Sequence, residues 1–176
     1  YQFDYAVDAG GKVTRADVTR PRGLVRRIDF DPKGFVAQQI LAFGTPLART
    51  WTYTRQPGTN LLLSKTDPLN RRTEYTYYTN GNRQTRTSLA GTVDAVTETW
   101  TYTPTFNQVA TYKNGLNYVT TFTYDTFGLL REVKDPLSNI TTFTYNSAGQ
   151  PLTVKDPRNK ITTLTYDLFD LRSSKD

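Results

Sequence analysis

Thr120-Thr121-Phe122-Thr123-Tyr124-Asp125 recurs as Thr141-Thr142-Phe143-Thr144-Tyr145-Asn146, and again as Thr162-Thr163-Leu164-Thr165-Tyr166-Asp167. The tyrosines stand 21 residues apart, twice. Val133-Lys134-Asp135-Pro136 returns at the same interval as Val154-Lys155-Asp156-Pro157, and Gly128 returns as Gly149, with Asp170 in the third slot. A fixed period of this length marks a repeat architecture, in which each unit is one small supersecondary element.

Working backwards, Trp100-Thr101-Tyr102, Tyr75-Thr76-Tyr77, Trp51-Thr52-Tyr53 and Phe3-Asp4-Tyr5 share the aromatic-polar-Tyr pattern, and Ile28-Asp29-Phe30-Asp31 with Gly34 fits as a further copy. The closing aromatics fall at 5, 30, 53, 77, 102, 124, 145 and 166. That makes about eight copies, regular towards the C-terminus and with insertions earlier. The division expected is residues 1–47 as degenerate repeats and 48–176 as repeats of 21–25 residues, within one repeat domain.

Each copy reads as two strands and two turns. In Thr142-Phe143-Thr144-Tyr145 the aromatics alternate with threonine, so one face is aromatic and the other polar. Asp125 through Gly128 is a tight turn, with Gly supplying positive φ for a bulged hairpin. A second strand follows, as in Gln150 to Lys155, and then a turn of another kind, Asp156-Pro157, with Pro setting φ and Asp capping. Asp67-Pro68 and Asp135-Pro136 repeat it. Asn114-Gly115 takes the same slot and is a hairpin signal by itself. The predicted fold is all-β: tandem hairpins in a curved antiparallel sheet.

Composition agrees. The chain has 176 residues, 31 of them Thr, with 12 Tyr, 9 Phe and 2 Trp, residue types that suit a pleated, half-buried surface. No amphipathic helical stripe is sustained, and the longest apolar run, Ile40 to Phe43, is far short of a membrane span. The length suggests one domain that buries most of its apolar surface if compact. Cys, His and Met are absent. Thiolate or imidazole metal sites, a Cys nucleophile and a Ser-His-Asp triad are therefore excluded. Starting at Tyr1 without Met, the chain is expected to be a piece of something larger.

The formal charge is +6. Residues 1–115 carry 15 Lys+Arg against 9 Asp+Glu, and residues 116–176 carry 7 of each. The excess gathers at Arg20, Arg22, Arg26 and Arg27, then Arg71 and Arg72, then Arg83 and Arg86. Such a surplus can serve a nucleic acid, but no nucleic-acid motif accompanies it, and a solvated or edge-protecting role is preferred.

These residues resemble the Rhs/YD-repeat family. Its unit runs Tyr-Asp, a Gly three residues on, an Asp-Pro turn and a Thr-rich strand. Tyr124-Asp125-Thr126-Phe127-Gly128 through Asp135-Pro136 to Tyr145 follows that order. The likeness is strong over 111–176, moderate back to 48 and weak before it. It implies a sheet spiralling into a hollow shell, which in bacterial Rhs proteins and the C component of insecticidal toxin complexes encloses a toxin domain. Teneurins carry a related shell outside animal cells. The family's C-terminal core, with acidic residues implicated in self-cleavage, finds no counterpart here.

The expectation is thus a non-enzymatic shell segment, with no catalytic, cofactor or metal residues, from a secreted or surface bacterial protein. Its partners would be the rest of the parent shell and an enclosed polypeptide, with edge-to-edge self-association through open strand edges. The residues expected to carry the repeat are Tyr53, Tyr77, Tyr102, Tyr124, Asp125, Gly128, Asp135, Pro136, Tyr145, Gly149, Asp156, Pro157, Tyr166 and Asp167. The alternative is an adhesive repeat binding glycans or cell wall, with Trp51 and Trp100 as stacking candidates. The turn aspartates are read as caps rather than calcium ligands, and Gly10-Gly11-Lys12 as a turn rather than a phosphate loop.

Overall fold

The computed structural model describes residues 1–166 and 172–175, so Asp167 and Asp170 lie outside the described residues. Every regular element among the described residues is a β-strand. The chain divides into two compact units, Tyr1–Thr97 and Glu98–Asp176.

The first unit holds β1 (Gln2–Val7), β2 (Val13–Thr19), β3 (Val25–Phe30), β4 (Val36–Phe43), β5 (Arg49–Arg55), β6 (Leu62–Thr66), β7 (Arg72–Tyr77) and β8 (Arg83–Ser88). Each strand pairs antiparallel with its neighbour in sequence. The second unit holds β9 (Val96–Tyr102) from Glu98 on, β10 (Val109–Lys113), β11 (Val119–Tyr124), β12 (Leu130–Lys134), β13 (Ile140–Tyr145), β14 (Pro151–Lys155), β15 (Ile161–Tyr166) and β16 (Arg172–Lys175). It is paired in the same way.

Register follows the alternation. Phe122 stands opposite Val133, which stands opposite Thr141 on its other side. Phe143 likewise faces Val154, which faces Thr162. The opposite face is polar, and its hydroxyls pair across strands: Thr54 with Ser64, Thr76 with Thr85, Thr101 with Thr111 and Thr144 with Thr153, each at 2.6–2.7 Å. Cross-strand threonine pairs of this kind stabilise a sheet face locally.

The turns correct the sequence reading. The two motifs, Asp-x-x-Gly and Asp-Pro-x-Asn/Ser, fold into one and the same turn. In both, the first residue's N–H donates to the carbonyl four residues on, and the fourth residue's N–H donates back to the first carbonyl. In both, Oδ1 of the first residue accepts two further N–H bonds, as Asp125 does from Phe127 and Leu129, and Asp135 from Leu137 and Asn139. The fourth residue is left-handed in both: Gly128 at φ +82° in one, Ser138 at 67° in the other. Glycine is therefore favoured but not required there, and Asn70, Asn117 and Asn159 also adopt it. In the Asn114 turn the left-handed residue is Asn117, while Gly115 merely occupies the proline slot.

The expectation of a buried interior for a compact chain is not met. Among the described residues just Ala16 and Ser64 are buried. The accessible surface is 12309 Å², against about 8,700 Å² for a compact protein of 20.0 kDa. Each unit is a single layer of paired strands whose faces are uncovered. No helix among the described residues is long and apolar enough to cross a membrane.

Candidate functional site: the aromatic face

The repeat tyrosines close gaps between strands. Pairing between β12 and β13 runs from Lys134↔Ile140 to Glu132↔Thr142 and stops there. Beyond it, the Tyr145 hydroxyl donates to the Leu130 carbonyl at 2.8 Å. The same link recurs three times: Tyr77 to Leu62 at 2.8 Å, Tyr124 to Val109 at 2.9 Å and Tyr166 to Pro151 at 2.7 Å. In every case the acceptor lies fifteen residues back. Tyr77, Tyr124 and Tyr145 each sit half-buried next to a register shift, as between Thr144 and Tyr145, where the hairpin bulges. Burial pushes the Tyr77, Tyr124 and Tyr145 phenols above their ordinary pKa.

Sequence reasoning read these side chains as part of an aromatic face and missed the hydroxyl. A signal was present. The closing position is Tyr at 53, 77, 102, 124, 145 and 166, whereas two residues earlier Trp51, Tyr75, Trp100, Phe122, Phe143 and Leu164 vary. A position that tolerates Leu needs apolar bulk, whereas one that is Tyr in six successive copies after Phe30 points to a use for the oxygen, which Tyr77, Tyr124, Tyr145 and Tyr166 make.

Turns stack upon one another at the glycine end of the strands. A Cβ added to Gly128 would stand 3.1 Å from Phe106 Cγ, and the Gln108 amide donates to the Gly128 carbonyl at 2.7 Å. At Gly149 the neighbour is Leu129, and at Gly34 it is Lys12, whose Nζ also reaches the Pro32 carbonyl. At the other end Asp135 and Asp156 carry Pro136 and Pro157, and Asp67 is clamped by Arg71 at 2.7 Å. Hydrogen bonds hold these carboxyls below the usual range: from the Arg71 side chain to Asp67, from the Asn139 side chain to Asp135, and from the Phe35 N–H to Asp31.

The two tryptophans occupy different settings. Trp51 lines a groove of about 440 Å³ with Arg49, Pro68, Leu69 and Arg71. Trp100 packs on Tyr112 with ring centroids 5.3 Å apart, and Tyr112 donates to Glu98 Oε1 at 2.5 Å. A second groove, about 410 Å³, lies among Phe127, Leu129, Arg131, Phe143 and Tyr145.

Much of the basic excess is engaged within the sheet. Arg27 grips Asp17 with two bonds of 2.8 and 2.7 Å, and its guanidinium lies 3.4 Å from the Phe43 ring centroid. That hydrogen bonding draws the Asp17 carboxyl below its ordinary value. Arg26 donates to Gln39, Arg72 pairs with Glu74, and Arg83 lies over the Tyr75 ring.

Residues 124–161 match the RHS repeat family model. No curated protein matches the chain by sequence. The fold is similar to that of a TcdB2–TccC3–Cdc42 crystal structure (TM-score 0.73, 17% identity, 92% of this chain and 9% of that one). It is also similar to a TcdB2–TccC3–TEV crystal structure (0.75, 17%, 97% and 10%) and to a Tc holotoxin pore of Photorhabdus luminescens (0.75, 15%, 98% and 10%). The chain thus spans about a tenth of the chains it matches. The chain thus carries a match to the RHS repeat at residues 124–161, and its fold is similar along its length to that of these toxin-complex structures.

Proposed function

We propose that this sheet is a length of wall in a shell that encloses a polypeptide cargo, in a secreted or surface protein of bacteria. One observation carries the reading: a sheet of paired strands that leaves its faces open, with 12309 Å² exposed. Such a layer encloses space instead of filling it. Its chemistry is steric and non-catalytic. The tyrosine links and stacked turns hold the wall in register, and the aromatic face presents half-buried rings to whatever it encloses.

The test is the parent reading frame on both sides of these residues. Further repeats followed by a core and a variable C-terminal domain are expected. A frame that closes within a few residues at both ends overturns the reading. In the full parent, the C-terminal domain should resist protease until the wall is opened by denaturant.

A glycan-binding adhesive is the second reading, supported by Trp51 beside Arg49 and Arg71 in an open groove. Binding on a glycan array that disappears in Trp51→Ala, with folding retained, would favour it.

A further inference from the structure

Charge is sorted between the two faces of the first unit. By register, Arg26, Arg49, Arg55, Lys65 and Arg86 share the aromatic face with Trp51, Tyr53 and Tyr75, and Arg83 joins them over the Tyr75 ring. The carboxylates borne by the strands of this unit, Asp4, Asp17, Asp29 and Glu74, all lie on the opposite, polar face. Its other acids, Asp8, Asp31, Asp67 and Asp94, stand in turns and loops. Two of these border the aromatic face, Asp31 near Arg55 and Asp67 clamped by Arg71. Glu98, which opens the second unit, is taken by the Tyr112 hydroxyl. Gathering like charge on one face destabilises it by repulsion, and none of this unit's strand carboxylates is there to offset it.

The hydrogen bonds of these cations go to neutral groups. Arg26 donates to Gln39, and Arg55 to the Asn60 carbonyl while it lies over the Phe35 ring. Arg26 Nε and Arg55 Nε are shut off from solvent with no hydrogen-bond partner. Arg49 and Lys65 are exposed and carry no hydrogen bond or ion pair among the described residues. Strand β5 sets the pattern: on this face it presents Arg49, Trp51, Tyr53 and Arg55 in turn, with Lys65 opposite Tyr53. Its two arginines stand about 20 Å apart along the strand, with two rings between them. A groove of about 440 Å³ opens at Arg49 and Trp51, and one of about 450 Å³ at Gln56 and Tyr77.

We propose that this face binds an extended acidic polypeptide segment laid along β5, with carboxylates on Arg49 and Arg55 and an apolar side chain against each ring between them. An extended chain points alternate side chains the same way, at the period of β5 itself. A stretch with acids at its first and last positions and apolar groups at its third and fifth therefore meets all four residues. Guanidinium forks take carboxylates with two bonds each. That of Arg55 is already partly dehydrated, so less hydration is lost when an anion arrives. Charge pattern separates a polypeptide from other polyanions. A nucleic acid carries charge at every unit and would set phosphates over Trp51 and Tyr53, and the Tyr75 ring face that a base would need lies under Arg83. The inference rests on the reading of this layer as a wall against an enclosed polypeptide, and names the stretch of that polypeptide the wall holds.

The test uses this chain and a fluorescein-labelled peptide, Glu-Ser-Leu-Ser-Leu-Ser-Glu, with anisotropy followed to about 1 mM protein. Saturable binding that weakens with salt is expected. Arg49→Glu and Lys65→Glu should each weaken it about tenfold or more, whereas Arg22→Glu, an equal change of charge in an exposed turn, should leave it unchanged. Replacing the peptide's leucines by serine should weaken it as well. Both altered side chains on the face are exposed and bond nothing in the fold, and circular dichroism confirms that the variants keep their strands. No binding up to the highest concentration overturns the proposal. So does an equal loss in Arg22→Glu, which would reduce the contact to net charge. Tighter binding of oligothymidylate or polyglucuronate, lost in the same variants, would assign the face to another polyanion and overturn it too. The two readings fail separately: absence of peptide binding leaves the parent reading frame to decide on the wall, and a frame that closes early leaves a bound peptide in place.

Discussion

The Tyr145 hydroxyl lies 2.8 Å from the Leu130 carbonyl, at the point where backbone pairing between β12 and β13 has already ended. A side chain thus supplies the bond that the diverging backbones cannot. Because Leu130 also stands opposite Tyr124 in the preceding hairpin, and Pro151 opposite Tyr145, each tyrosine ties its own hairpin to the one before it.

Removing that oxygen should loosen one inter-hairpin joint. Tyr145→Phe keeps the ring and strips the donor, leaving the Leu130 carbonyl short of a partner. We expect a loss of about 0.5–1.5 kcal/mol in urea denaturation. Phe122→Leu, at the variable position, should cost less than Tyr145→Ala. Hydrogen exchange at the β12–β13 joint would localise the effect. Unchanged exchange in Tyr145→Phe would show that the bond carries no stability.

Gly128 and Gly81 separate two reasons for glycine. Both are left-handed, at φ +82° and +87°. A Cβ at Gly81 meets nothing within 4 Å, whereas at Gly128 it meets Phe106 at 3.1 Å. Gly81→Ala should cost about 1–2 kcal/mol, the conformational penalty alone. Gly128→Ala should cost more, and adding Phe106→Ala should return part of the excess. A double variant no better than the simple sum would remove Phe106 from the account.

Much of the fold was written in the spacing, because hairpin pairing in register is local. The 21-residue interval fixes which strands neighbour each other, and Phe-Thr-Tyr alternation fixes which face each residue takes. Three features were hidden for physical reasons. That Asp125-x-x-Gly128 and Asp135-Pro136-x-Ser138 are one turn depends on Ser138 and Asn159 accepting φ above +60°, which composition rules assign to glycine. The Tyr145 bond spans two strands, so no local pattern shows it; just the persistence of Tyr where its neighbour varies hints at it. The open faces were invisible because length-based burial assumes a compact body, and Phe143 or Val154 look like core residues in any sequence. Trp51 and Trp100 were singled out by type alone, and they sit in unlike surroundings.

Acid and alkali should act on different parts of the repeat. Asp31, Asp67 and Asp135 titrate below the usual carboxylate range because hydrogen bonds favour their charged forms. Their contribution is present above the unfolded value, about 3.9, and is lost as pH falls through the lower folded values. Asn114 and Asn146 already fill this slot with the same pair of N–H bonds. Asp135→Asn should therefore leave neutral-pH stability nearly unchanged and flatten the acid limb of the melting-temperature profile. An unchanged acid limb would remove Asp135 from it. Tyr77, Tyr124 and Tyr145 are shifted upward by burial, so their contribution is whole below about pH 10 and fades as pH rises through the folded values. Tyr145→Phe should shrink that alkaline loss.

Arg27 is the charged residue whose replacement should cost most in the first unit. Its side chain is 20% exposed and that of Asp17 15%, so the pair is screened less than a surface pair. The guanidinium fork fills both Asp17 oxygens while its flat face covers Phe43. Lysine keeps the charge but can neither bond bidentately nor stack as a plane. We expect Arg27→Lys to lose about 1–2 kcal/mol, more than an exposed pair gives. Asp17 would then titrate closer to its ordinary value, so the variant's stability should fall less between neutral and acid pH. Denaturation can be followed through Trp51 in a Trp100→Phe background, which leaves one tryptophan, in the unit that holds the pair. If Arg27→Lys matched the unaltered chain at neutral pH, charge alone would account for the contact. The fork and the ring would then be incidental to it.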